Sequence, residues 1–201
     1  MKLRHLVVAV VAFVAPVAGR APRADPARGS QTVSDLVGRC AGLGLSGKPL
    51  ADAAVAAVAQ AFGDHSVWHL WESPQRALAR GRGWSQQYNT VLLQVLRGLG
   101  FDARLVHAAR VRGFGHPWWL AGHTWVRVMI DGHEVDACAS RLDNVVGRSP
   151  FVPLTPVLPV RLSTRWAVAL ALAPFVVVAV WRSWLTGESV APWVYGPRGT
   201  S

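Results

Sequence analysis

GRGWSQQYNTVLLQVLRGLGFDARLVHAARV, residues 81–111, contains the change of period on which the fold turns. Gly81-Arg82-Gly83 reads as a flexible turn, and Ser85 stands where a helix begins. From Gln86 to Leu99 the residues Tyr88, Leu92, Val95 and Leu99 form one helical stripe, thickened by Val91 and Leu96. Gly100 suits the left-handed position just past a helix end. Beyond it, FDARLVHAARV alternates as a strand does. HTWVRVMIDGHEVDACAS, residues 123–140, repeats that pattern around Asp131-Gly132, a favourable two-residue hairpin turn. Helices first and an antiparallel sheet after them predict an α+β domain.

Upstream, GKPLADAAVAAVAQAFGDH is expected to be a helix with Leu50, Ala54, Val55, Val58 and Phe62 on one face. In WESPQRALARGRG, Ser73 suits the N-cap, Pro74 the first helical position and Gly81 the stop. Downstream, SPFVPLTPVLPV is a Pro-rich exit. These elements place a compact domain at about residues 31–160.

Both ends are more apolar than the middle. MKLRH followed by LVVAVVAFVAPVAG has the layout of a signal peptide or an uncleaved anchor, and residues 20–30 read as a linker. Residues 161–186 hold a second apolar segment, uncharged from Trp166 to Trp181, and 187–201 form a tail. That uncharged run would be about 24 Å long as a helix, with Pro174 inside it. Trp166, Trp181 and Trp184 would lie at the interfaces, with Arg165 and Arg182 reaching outward. A short transmembrane span or an interfacial helix is the expectation, and hence a membrane-associated protein. The side of the membrane stays open. A cleaved signal would export the domain, whereas Arg20, Arg23, Arg28, Arg161 and Arg165 beside the two segments favour the cytosol.

The net charge of +10 permits an anionic partner. No zinc spacing, RNA-binding signature or long basic run points to nucleic acid, so membrane lipid is the expected anionic partner. The two cysteines, Cys40 and Cys138, are either one bridge or two buried thiols. No cofactor or metal is expected. His65 and His69 have the spacing of helical metal ligands, but no further ligand clusters with them.

Three residues combine into a candidate chemistry. Ser85 lies at a helix N-terminus, where free N–H groups and the dipole favour a developing oxyanion. His123 lies on a strand, and Asp136 lies on its partner. A nucleophile, a base and a carboxylate that orients the base are the requirements of acyl transfer. Each residue also has a plainer reading: Ser85 as a helix cap, and His123 and Asp136 as ordinary cross-strand groups.

The run GRGWSQQYNTVLLQVLRGLGFDARLVHAARV with GHTWVRVMIDGHEVDACAS resembles the transglutaminase-like superfamily, over about residues 70–140. GWSQQYN and LGF also resemble arylamine N-acetyltransferases, which share the fold. The resemblance implies a papain/transglutaminase-like core, with a helix starting at the nucleophile and packed on an antiparallel sheet. It puts the family's catalytic Cys at Ser85, its His at His123 and its Asp at Asp136. Ser in place of Cys demands stricter base geometry, because a hydroxyl does not ionise as a thiol does.

Spacing separates this chain from the family. A two-residue turn at Asp131-Gly132 pairs Ile130 with His133 and sets Asp136 opposite Arg127. Asp136 then shares a face with His123 but stands four residues along, roughly 13 Å away. The family hairpin is two residues longer to its Asp. Trp84, Trp118, Trp119 and Trp125 are candidates for a pocket that accepts a bulky or apolar acyl group. His116 is a weaker base candidate than His123. Two functions follow: amide or ester acyl transfer or hydrolysis on a protein, peptide or small acyl substrate, or an inactive module that binds a peptide or protein partner.

Overall fold

The structure, a computed structural model, describes residues 3–22, 31–113 and 122–197, with backbone only for 162–165. Its centre is α5 (Ser85–Gly98), packed on an antiparallel sheet of order β6-β5-β3-β8. These strands are β3 (Ala103–Ala108), β5 (His123–Ile130), β6 (His133–Ala137) and β8 (Leu158–Pro159). The architecture is α+β.

The stripe predicted on α5 is the one that is buried: Tyr88, Val91, Leu92, Val95 and Leu96 lie in the core, and Leu99 packs against it. Gly100 takes φ +89° at the helix end. Opposite α5 on the sheet lie Ala103, Val126, Val128 and Ala137, with Ala139 just past β6, all buried. The small side chains among them let helix and sheet approach closely.

Around α5 stand α2 (Val33–Ala41), α3 (Gly47–Ala61) and α4 (Pro74–Ala79). In α3 the residues Ala54, Val55 and Val58 are buried, followed by fully buried Phe62. Ser73 caps α4, its Oγ accepting from the Arg76 N–H at 3.2 Å, and Pro74 is the first helical residue. The periodicity reading missed α2. Its signal is a capping box, in which Thr32 and Asp35 accept each other's backbone N–H at 3.2 and 2.8 Å. Gly98 abuts α2, and a Cβ there would meet Val37 at 2.8 Å.

Asp131 and Gly132 both take positive φ, +51° and +78°, and close the β5–β6 hairpin in the expected register. Ile130 pairs with His133 and Arg127 with Asp136. The Pro-rich exit carries structure that the sequence reading did not assign. Val152–Pro153 is β7, pairing with β4 (Val111–Arg112), and β8 adds an edge to β3.

A second buried cluster joins the apolar ends of the chain to this domain. α1 (Leu3–Gly19) packs on α6 (Leu162–Thr186), which continues unbroken through Pro174. Phe13 stacks on Trp181 at 5.6 Å, and the Trp181 indole N–H donates to the Phe13 carbonyl at 2.8 Å. Val17, Val176, Val177 and Val180 meet Val67, Trp68, Leu70 and Trp84. After α6, β9 (Tyr195–Pro197) returns to pair with β1 (Asp64–Ser66), which runs parallel to β2 (Arg82–Gly83). α6 is long and apolar enough to cross a membrane, with mean hydropathy reaching 1.9 within Trp166–Thr186.

Candidate functional site

Ser85 is the first residue of α5, not its cap. The N-cap is Trp84, and its N–H donates to Gln87 Oε1 at 3.1 Å. The capping role open to Ser85 in the sequence thus falls to a residue two positions on. Ser85 is half-buried, and its hydroxyl makes no hydrogen bond among the described residues.

Gln87 also reaches the other way. Its Nε2 donates to the carbonyls of His69 and Glu72, both at 2.9 Å, and so braces the segment between β1 and α4 against the start of α5. A Cβ at Gly83 would come within 3.0 Å of the same Gln87 side chain, so the turn before Ser85 needs glycine for space.

One turn into α5 sits Asn89, fully buried. Its amide donates to the Thr124 carbonyl at 2.6 Å, and its Oδ1 accepts the Ala139 N–H at 3.0 Å. The same Nδ2 lies 3.5 Å from Cys138 Sγ. Asn89 therefore ties the helix to the beginning of β5 and the end of β6. The sequence analysis did not single it out, although a polar side chain beside the buried stripe is a signal.

His123 opens β5 and is buried. Its Nε2 faces Cys138 Sγ at 3.2 Å. Trp125 stacks parallel to the imidazole at 6.2 Å, and Phe151 meets it edge-on at 4.7 Å. Asp136 stands elsewhere, as the hairpin register requires. Its Oδ1 accepts from Trp125 Nε1 at 2.8 Å and from Arg127 Nε at 3.2 Å. A parity argument gives the reason. Cys138 is two residues beyond Asp136 on the same face, so it reaches back toward the imidazole where Asp136 falls short.

Cys138, which the sequence analysis read as half of a bridge or as a buried thiol, is thus the residue beside the imidazole. Cys138 and Cys40 are both buried, and no disulfide joins them. Burial pushes the Cys40 thiol up, partly offset by Arg39.

His107, on β3, completes the neighbourhood. Its Nδ1 shares a 3.0 Å hydrogen bond with Thr124 Oγ1, and burial holds its pKa below the usual histidine range. On the outer face of β6 an open cleft of about 530 Å³ is lined by Arg127, Glu134, Asp136 and Ser149, and Phe151 forms its wall toward His123. Of the expected pocket residues, Trp84 is buried against the α1–α6 cluster, and Trp125 is buried between His123 and Phe151. Trp118, Trp119 and His116 lie outside the described residues.

A second polar cluster lies beneath the helix pair. His69 Nδ1 shares a 2.6 Å hydrogen bond with Ser66 Oγ, and Glu72 pairs with Arg80 and Arg82. Burial lowers the His69 pKa to about 3, helped by Arg82 and Arg80, so this imidazole is neutral. His65 lies in strand β1, not on a helix, and its Nε2 meets the Trp193 carbonyl at 3.1 Å. The helical ligand spacing read at His65 and His69 is therefore absent. Among the described residues no three His, Cys, Asp or Glu side chains gather as a metal site would need.

No family model matches the chain, and no curated protein matches it. Among solved structures, a crystal structure of a TGase is similar at a TM-score of 0.44 and 15% identity, covering 56% of this chain. The similarity extends over 31% of that structure's chain, so this protein spans less than a third of its length.

Proposed function

We propose that this is a membrane-associated protein with a transglutaminase-like domain that transfers or hydrolyses an amide- or ester-linked acyl group at His123. The observation that carries the reading is the 3.2 Å approach of His123 Nε2 to Cys138 Sγ. With the Nε2–H donated to sulfur, the lone pair of the base is on Nδ1. Ser85 supplies the nucleophile from the first turn of α5, one turn (about 6 Å) before the Asn89 that touches the same sulfur.

In the reaction, Ser85 Oγ attacks the acyl carbon as its proton passes to His123 Nδ1. Backbone N–H groups at Trp84–Gln86 stabilise the oxyanion. The imidazolium then protonates the leaving amine or alcohol. Water or an acceptor amine, deprotonated by the same nitrogen, releases the acyl group from serine. Cys138 takes the orienting place that the sequence reading gave to Asp136. Asp136 instead holds the Trp125 indole against the imidazole. A sulfur accepts more weakly than a carboxylate, so the base is less strongly oriented than in a Ser-His-Asp triad.

A second reading is a cleft that binds a peptide or protein without turnover. The engagement of Asp136 by Trp125 and Arg127 favours it, because that carboxylate is committed to those two groups.

Labelling with a serine-reactive fluorophosphonate separates the two. The full chain is compared with Ser85→Ala and Ser85→Cys, the Cys variant also meeting a thiol-reactive electrophile. Labelling lost in Ser85→Ala supports the nucleophile. An unlabelled wild type with a hyper-reactive Ser85→Cys supports the binding cleft. Inertness of every form removes both readings.

A further inference from the structure

We infer that α1 and α6 together form a monotopic platform, seated on one leaflet of an anionic membrane without crossing it. The inference refines the membrane association proposed above and is independent of the chemistry at His123.

Hydropathy alone permits a crossing, since α6 has 25 residues and is about 37 Å long. Topology argues otherwise. Immediately before α6, Leu158 and Pro159 pair with β3, and the Val160 N–H donates to the Leu105 carbonyl at 3.2 Å. At its C-terminal end, Ser183 Oγ donates to the Glu188 carbonyl at 2.6 Å and turns the chain back. The Val67 N–H then donates to the Val194 carbonyl at 2.9 Å, and β9 pairs with β1. Both flanks of the helix are therefore bonded into the same body. A spanning helix would need them on opposite sides of about 30 Å of hydrocarbon.

Between its ends α6 lies against the domain. Ala169, Leu172, Val176, Val177, Val180 and Ser183 are buried, at helical spacing. The opposite face is apolar and exposed: Trp166 is 53% exposed, Leu170 69%, Phe175 43%, Val178 58% and Leu185 81%. A soluble helix places charge on that side. α1 continues the surface with exposed Leu6, Val7, Val10, Val11, Phe13 and Val14, locked to α6 through Trp181. So large a contiguous apolar patch needs an occupant.

Charge selects the occupant. The chain carries +10, and basic groups edge the patch: the Arg20 guanidinium lies over the Trp184 ring at 5.4 Å, and Arg182 is exposed beside it. Tryptophan with arginine at the border of an apolar helical face matches the boundary between acyl chains and anionic headgroups. A second copy of a chain this basic would bring like charges together at that rim.

Two measurements on the full chain test the proposal. In flotation with phosphatidylcholine vesicles containing 30% phosphatidylglycerol, the wild type is expected to bind, and less so as salt is raised. The exposed-face variant Leu170→Glu/Phe175→Glu/Val178→Glu is expected to lose binding on the order of tenfold or more while keeping its circular dichroism. In cells, single cysteines at Arg141→Cys and Glu188→Cys are reacted with an impermeant maleimide, against the background of buried Cys40 and Cys138. Labelling of both sites from the same side of the membrane supports a monotopic seat. Labelling from opposite sides overturns it, because α6 then crosses. A wild type that stays off vesicles as a soluble dimer also overturns it, because a second copy then covers the face. Fluorophosphonate labelling of Ser85 in detergent reads the chemistry separately, so either idea can fail alone.

Discussion

His123 and Cys138 meet across the open end of the β5–β6 hairpin, Nε2 to Sγ at 3.2 Å, while Asp136 is bonded two residues back to Trp125 and Arg127. If the sulfur is the orienting partner of the imidazole, Cys138→Asp should raise the rate of Ser85 labelling, because a carboxylate accepts the Nε2–H more strongly. Cys138→Ala should lower it roughly tenfold, and Asp136→Asn by roughly threefold or less. Rates measured against pH make the check. A thiol that only fills space would leave the profile of Cys138→Asp unshifted.

Asn89 bridges α5 to both strands of the hairpin through Thr124 and Ala139. Asn89→Leu removes both bonds from the core, and is expected to cost about 2–4 kcal/mol. Urea denaturation of the wild type and the variant measures the difference. A cost under about 0.5 kcal/mol would mean that water replaces the amide there.

His69 gives stability a pH dependence. Its folded pKa of about 3 lies below the ordinary 6.5, so between those values the unfolded chain binds a proton that the native chain does not. The contribution is complete above pH 6.5 and is lost as pH falls toward 3. By pH 5 the loss is roughly 2 kcal/mol, and His69→Gln should flatten that part of the curve. Melting temperatures at pH 7 and pH 5 for both proteins decide it.

Gly113 takes φ +127°, and a Cβ there would come within 2.4 Å of the Pro150 carbonyl oxygen. Gly113→Ala should therefore force β4 away from β7 and destabilise the fold by about 2–4 kcal/mol. Phe151, next to that contact, packs edge-on against His123, so Ser85 labelling should fall together with stability. Thermal melts and labelling of the same sample test the pairing.

The sequence made the central helix and hairpin legible because their signals are local. The stripe from Tyr88 to Leu99, the Ser73-Pro74 start and the Asp131-Gly132 turn each act within a few residues. Even the displacement of Asp136 follows from turn length alone. The thiol beside His123 did not show in the sequence, because Cys138 reaches the imidazole diagonally, beyond the last paired residues of β6. β1, β2 and β9 were equally hidden. They have three, two and three residues, and their pairing joins segments far apart in sequence, which no local period reports. Nor could hydropathy distinguish a crossing from a resting helix, since that depends on where its flanks are fastened.

Gln87 gives the molecule a mechanical linkage. One amide group holds the first turn of α5 by the Trp84 N–H and the 69–72 segment by two carbonyls. Val67, Trp68 and Leu70, which lead into that segment, are the floor on which the two apolar helices rest. A load on those helices therefore reaches the start of α5 by two routes, through Gln87 and through Trp84, which packs in the same buried cluster. The proposed seat of those helices and the poise of the Ser85 hydroxyl would then share one lever, even though either proposal can fail alone.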